Sequence, residues 1–373
     1  MYLRGSCLLV VCLAGSTIVA PERPVVSAAA QGTAQPSTDE KLKRIGGELF
    51  ARGDRAEDAV RELKEVLAQD PRSAQAHFLL GVAYGRLADP DLMGEAAAEF
   101  RQALDLEPAL VQARYYLAQV YLDMGRAERA RSEMETALKQ VPEHPQFLAL
   151  LGEIERQLGR PNRSLELNRQ ALKSDAGFAQ ARYYVGLALL DLKRRDEAIR
   201  ELEQVVKSGV QLAEVYLSLG AAYLDAGKVD VAVTTLRRGL EIDHSRLDIR
   251  VRLARAYRAK GLLADAETVL SESASKGAAS QASPAAQQLQ AERYLEQGLV
   301  RLELNRPKAA IDALQRALEL KSDLGPAHLH LARAYIRQGA YGLAQKHAAL
   351  AEKLGSPLSR TERASLQQKL QKK

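Results

Sequence analysis

Tryptophan is absent from this chain of 373 residues, aromatic side chains are only 5% of it, and its two cysteines, Cys7 and Cys12, sit near the N-terminus. With the N-terminal segment set aside no thiol remains, which excludes disulfides, thiolate zinc sites and cysteine nucleophiles. A glycine-rich phosphate loop, a Gly-x-Ser-x-Gly elbow and a His-Glu-x-x-His pair are all missing. Histidines number 6, and only His328 and His330 lie close together. Two residues apart on a helix, they point to nearly opposite sides and cannot share a metal without distortion. Carboxylates are plentiful but fall on solvated faces at helical spacing, so acid–base catalysis has no anchor. Nothing here requires a cofactor, a metal or catalysis. An excess of one charge is missing too: the formal charge is +6, from 53 Lys and Arg against 47 Asp and Glu spread along the chain. Nucleic-acid binding needs basic residues gathered on one face and is not expected.

What is abundant is helix-forming sequence. Ala, Leu, Glu, Arg and Gln dominate, with 46% hydrophobic and 27% charged residues, so the chain reads as folded and all-α. At the N-terminus, Arg4, the mostly apolar run from Cys7 to Ala20 and the small residues Ala28, Ala29 and Ala30 form an export-signal pattern over 1–30, with cleavage expected after Ala30. An uncleaved anchor ranks second, because spanning a bilayer takes roughly 20 apolar residues. Val11 before Cys12 argues against lipidation. Residues 31–39, with Gly32, Pro36 and Ser37, read as a flexible leader.

From Glu40 onward the sequence repeats every 34 residues. Units open at Glu40, Ala74, Val111, Pro145, Ala179, Ala213, Leu247, Ala291 and Gly325. The eighth position is small in every unit: Gly47, Gly81, Ala118, Gly152, Gly186, Gly220, Ala254, Gly298 and Ala332. The twentieth is small as well: Ala59, Ala96, Ala130, Ser164, Ala198, Ala232, Ala266, Ala310 and Ala344, allowing three inserted residues in the second unit. Small residues on both members of a helix pair let the backbones approach and bury the large side chains beside them. Leu80, Leu117, Leu151, Leu219 and Leu253 fill those slots from the first helix, and Leu63, Phe100, Met134, Leu202, Leu236 and Leu270 from the second. Gly125, Gly159, Gly227, Gly261 and Gly339 fall where the first helix ends and a left-handed residue is needed.

This order of positions resembles the tetratricopeptide repeat family, most cleanly in the third unit with Leu117, Ala118, Tyr121, Ala130, Ala137 and Pro142. Departures are the missing tryptophan, Glu155 and Arg301 in place of the aromatic at the eleventh position, and a closing proline kept only as Pro71, Pro108 and Pro142. The resemblance, to an exported bacterial-type member, implies a right-handed superhelical solenoid of about nine helix-turn-helix repeats. The repeats span 40–73, 74–110, 111–144, 145–178, 179–212, 213–246 and 247–280, then 291–324 and 325–358 after an insert at 281–290. Ser283 before Pro284 predicts that the eighth unit's first helix is lengthened backward, and the break is expected to divide the repeats into two blocks. Over 359–373, Ser359 and Glu362 form a capping-box pattern that opens a lid helix with Leu366 and Leu370 on one face.

The resemblance further implies a concave groove lined by first helices. Its positions carry over to Phe78, Val82, Arg86, Tyr115, Gln119, Asp123, Glu153, Arg156, Tyr183, Leu187, Asp191, Leu217, Asp225, Arg255, Arg258, Arg333 and Arg337, an aromatic middle with a basic far end. The carboxylate clamp of chaperone-binding relatives is not matched, since Arg44 with Glu48 and Tyr115 with Gln119 stand where a lysine and an asparagine would. The expected role is a non-enzymatic scaffold of the cell envelope, periplasmic or secreted, holding a protein or peptide segment. Self-association and peripheral association with a membrane complex stay open. The alternative is a carbohydrate-binding or polysaccharide-export accessory protein in which Tyr115 and Tyr183 stack on sugar rings.

Overall fold

A computed structural model of the protein describes residues 37–51, 55–271 and 283–371. The export segment with both cysteines, the leader up to residue 36, residues 281–282 of the insert and the last two lysines lie outside the described residues. Among the described residues the chain is nineteen α-helices and no strand. The first compact unit, ending at Val210, holds α1 (Thr38–Ala51), α2 (Ala56–Gln69), α3 (Ala74–Arg86), α4 (Met93–Leu106), α5 (Val111–Asp123), α6 (Ala127–Gln140), α7 (Pro145–Gln157), α8 (Pro161–Ser174), α9 (Ala179–Asp191) and α10 (Arg195–Lys207). The second, from Gln211, holds α11 (Ala213–Asp225), α12 (Val229–Ile242), α13 (Leu247–Ala259), α14 (Leu263–Ser271), α15 (Pro284–Glu303), α16 (Pro307–Leu320), α17 (Gly325–Gln338), α18 (Tyr341–Lys353) and α19 (Arg360–Gln371).

Odd and even helices differ in how much they bury, and this follows from their sequences. In α5 every residue from Tyr115 to Leu122 is buried, because the helix is covered on more than one side. Its partner α6 buries only Ala130, Met134 and Ala137, one stripe at helical spacing, and turns its Arg and Glu side chains to water. The same alternation of a nearly enclosed first helix with an amphipathic second helix makes each unit a paired-helix solenoid.

The small positions act as expected in eight of the nine repeats. A Cβ added at Gly81 would lie 2.8 Å from Phe100, at Gly186 2.7 Å from Leu202, and at Gly220 and Gly298 2.5 Å from Leu236 and Leu314. Ala118, Ala254 and Ala332 are fully buried, as are the twentieth-position residues apart from Ala59 at 6%. Gly152 packs against the carboxamide of Asn168. Gly47 is the exception: it is exposed, with nothing within 4 Å of an added Cβ. Gly46, one residue earlier, faces Leu79 instead, at 3.4 Å.

First helices end on a left-handed residue. Gly125, Gly159, Gly227, Gly261 and Gly339 have φ of +73°, +78°, +73°, +75° and +77°. Where the sequence supplies no glycine, Ala88, Lys193 and Asn305 adopt the same conformation at φ +53°, +60° and +57°. Glu155 and Arg301 replace the expected aromatic by finding charged partners: Glu155 accepts from Arg160, and Arg301 donates to Glu267 and the Ala309 carbonyl.

Two boundaries depart from expectation and a third follows the backward lengthening expected from Ser283 and Pro284. Helix α1 starts inside the segment read as leader, because Ser37 and Glu40 form a capping box in which each backbone N–H donates to the other's side chain. Residues 284–290 of the insert are already helical: Ser283 caps α15 by accepting from the Ala286 N–H, which gives the 20-residue first helix of the eighth repeat. The compact units divide at Val210, not at this insert, because α15 is stitched back onto earlier helices. Gln297 donates to the Leu270 carbonyl, and Glu296 accepts from Arg255 and Arg258. At the C-terminus the Ser359–Glu362 capping box forms as expected, and Leu366 of α19 is 3% exposed against the last repeat.

Candidate functional site: the first-helix faces

In the first unit the aromatic positions of the expected groove are spent on packing. Phe78 is 6% exposed, with its ring 6.0 Å from Phe100 and 5.7 Å from Tyr116. Tyr115 is 7% exposed, edge-on to Tyr116 at 5.5 Å and stacked on Phe147 at 5.7 Å. Val82 is buried, and Gln119 is fully buried with its amide donating to the Tyr115 hydroxyl at 3.2 Å. These four cannot offer a surface to a partner in this packing. Consecutive first helices interlock at those positions, which a register read from one helix does not reveal. Burial pushes the Tyr116 hydroxyl up to about 12, against the opposing charge of the half-buried Arg86.

The remaining expected positions of that unit are mostly polar. Glu153, 5% exposed, accepts from Nε and Nη2 of Arg156, both at 2.8 Å, and from Gln157 at 3.0 Å. The third edge of the same guanidinium donates to Asp191 at 3.0 Å, so Arg156 ties α7 to α9. Burial disfavours its charge, but Glu153 and Asp191 outweigh that and raise its pKa. Asp191 is exposed, while Arg86, Asp123, Tyr183 and Leu187 are half-buried.

The second unit corrects the expectation of a basic end. Arg255 donates through Nε to Glu296 at 2.7 Å, and Arg258 reaches Glu296 at 3.3 Å and Glu303 at 3.0 Å. Arg333 forks onto Glu362 at 2.8 and 3.3 Å, and Arg337 donates to the Leu302 carbonyl. Three of the four arginines therefore face carboxylates from the helix two places on, and the field they make is largely cancelled. Burial opposes ionisation of Glu362, yet the hydrogen bonds from Arg333 and Ser359 hold its pKa at about 2. Leu217 is half-buried against the core and Asp225 is exposed. Glu296, only 4% exposed, was missed by sequence reasoning. Its signal was the pair Glu292 and Glu296, four apart on one helix, opposite Arg255 and Arg258.

The histidines separate as their spacing requires. His328 donates its Nε2–H to the Ser322 carbonyl at 3.2 Å, which leaves its Nδ1 to accept from His347 Nδ1–H at 2.9 Å. His330 is turned elsewhere, near Arg258 and Arg333; burial first, then those two charges, lower it to about 4. Among the described residues no three His, Cys, Asp or Glu side chains gather where a metal ion could be held. No helix among them is long and apolar enough to cross a membrane.

Three family profiles, each described as tetratricopeptide repeat, match residues 93–154, 129–269, and 46–91 together with 295–356. The chain belongs to the tetratricopeptide repeat family. No curated protein matches its sequence. Among solved structures, the Cut9–Hcn1 hetero-tetramer of the APC/C superposes with a TM-score of 0.61 at 15% identity, covering 90% of this chain and 67% of that one. Human IFIT1 gives 0.56 at 18% identity over 86% and 73%. PilW, a type IV pilus biogenesis factor, gives 0.50 at 21% identity over 56% and 93%. Likeness at these identities concerns the fold. Within this tetratricopeptide repeat protein, the expected groove positions that keep open surface are the half-buried and exposed ones, a mixed polar and apolar set.

Proposed function

We propose that this tetratricopeptide repeat protein is a non-catalytic scaffold that holds a peptide or protein segment on its first-helix faces. The observation that carries the reading is the combination, on α5, α7 and α9, of half-buried Asp123, Tyr183 and Leu187 with the Glu153–Arg156–Asp191 cluster. Apolar area and charged orientation stand side by side there, the pairing that peptide grooves use. Sugar stacking has less support, because Tyr115 is buried against Phe147 and presents no free ring face. Export to the envelope is part of the proposal and rests on Arg4, the apolar run from Cys7 and the Ala28–Ala30 pattern. That PilW shares the fold adds nothing to it at 21% identity.

The test is photo-crosslinking in the native cell from single sites. Probes at Asp123, Tyr183 or Asp191 on first helices should trap a partner, while probes at Glu166 and Arg200 on second helices should not. Equal trapping from second helices would overturn the reading. For export, the mature chain recovered from the envelope fraction should begin at Gln31; recovery of an unprocessed chain in the cytoplasm would reject it.

A further inference from the structure

Four repeats place a large apolar side chain from the second helix directly against an eighth-position glycine, Phe100, Leu202, Leu236 and Leu314, and three more carry one at the equivalent second-helix position, Leu63, Met134 and Leu270. Each of these side chains is 0–1% exposed. In the fourth repeat the same place is held by Asn168, also 0% exposed. Its Nδ2 donates to the Ser164 carbonyl at 2.9 Å, one turn back in α8, and its Oδ1 is buried with no hydrogen-bond partner. Ser164 itself stands where the other repeats have alanine. The seam between α7 and α8 is therefore polar, and one of its acceptors is left unmet after losing water.

We infer that the α7–α8 pair is a built-in yielding point of the first unit, with α7 latched to α9 through the Arg156–Asp191 bridge, so that a charged segment engaging that bridge shifts α7 against α8. The geometry supports each part. Helix α7 carries Gly152 against Asn168 and, one turn further on, Arg156 towards Asp191, so one rigid helix joins the weak seam to the open face. The bridge is reachable from the Asp191 side, whose side chain is 26% exposed against 12% for Arg156. The seam is not forced by space. Gly186, Gly220 and Gly298 each face a leucine at the equivalent place, so a leucine at 168 has three templates in this same chain. An unmet buried acceptor where an apolar side chain would fit lowers the cost of local opening at that pair relative to its neighbours. The consequence for binding rests on the proposed role of the first-helix faces; the yielding itself does not.

Hydrogen exchange read by mass spectrometry on the full chain tests it. Amides of α7 and α8 should exchange about tenfold faster than those of α5, α6, α9 and α10. Asn168→Leu should slow α7 and α8 to their neighbours' rate and leave the rest unchanged; Asn168→Met, which copies Met134 of the third repeat, is the second variant should leucine not fold. Asp191→Asn should speed exchange in α7. Uniform protection across α5–α10, or an Asn168 variant that alters no local rate, would overturn the inference while leaving the crosslinking result untouched. Fast exchange at α7–α8 with crosslinks only from second helices would instead reject the binding face and keep the yielding point.

Discussion

Replacing the glycines of the eighth position one at a time should give opposite signs at different repeats, although the substitution is the same. Glycine inside a helix costs about 1 kcal/mol relative to alanine. Gly47 is exposed with empty space around an added Cβ, so Gly47→Ala should recover most of that and stabilise the protein by about 0.5–1 kcal/mol. At Gly220 the new Cβ would stand 2.5 Å from Leu236 Cγ and 2.6 Å from its Cδ2, with Leu236 fully buried. Carbon atoms pack at about 3.5–4.0 Å, so roughly 1 Å must be found by moving α12 or forcing a poor rotamer. Overpacking of that kind costs about 1–3 kcal/mol, partly offset by helix propensity.

Alanine is native at the same position in Ala118 and Ala254, opposite Met134 and Leu270. Those pairs accommodate one methyl, which places Gly220→Ala at the low end, about 0.5–1 kcal/mol destabilising. Gly220→Val has no such precedent in the chain. With two further methyls and a poorer helix former it should cost about 3 kcal/mol or more. Urea unfolding followed by circular dichroism reads the ordering, with midpoints compared instead of extrapolated energies, since stacked repeats need not unfold in one step. If Gly220→Ala and Gly47→Ala shift the midpoint in the same direction, close approach of paired helices is not what keeps that position small.

Three further outcomes follow from the structure. Lys193 holds φ +60° where five other repeats use glycine, so Lys193→Gly should raise the melting temperature, gaining about 1 kcal/mol, and Gly159→Ala at φ +78° should lose a similar amount. His330 is neutral in the fold, lowered to about 4 from 6.5, chiefly by burial. Its contribution is therefore complete above pH 6.5 and is lost as pH falls towards 4, about 3 kcal/mol in all; His330→Gln should flatten that part of the pH–stability curve, and an unchanged slope would refute the assignment. Tyr115→Ala should cost about 3–5 kcal/mol of stability as a core deletion, whereas Tyr183→Ala should cost less and weaken partner capture by about 2 kcal/mol if Tyr183 is an anchor.

The sequence carried the fold because close approach leaves a local mark. A small residue sits at the eighth and twentieth positions whichever neighbours surround them, and glycine follows most first helices where φ turns positive. The first repeat shows where that logic stops: Gly47 satisfies the pattern but meets nothing, and Gly46 beside it makes only an ordinary contact with Leu79 of the next repeat. The face was legible only as a set of positions. Tyr115 stands at a groove position in its own helix, but whether its ring is free depends on Phe147, 32 residues later, and on Tyr116 beside it. Arg255 and Arg258 look basic in their own repeat, and their charge is offset only when Glu296 folds against them. Repeat register fixes which side chains point inward, while neighbouring helices decide which of those are consumed. Binding residues in such a stack are therefore sought among inward positions that keep surface open after neighbouring helices have packed. In this chain that places the half-buried Tyr183 and Leu187 and the exposed Asp191 on α9 ahead of the buried aromatics on α3 and α5.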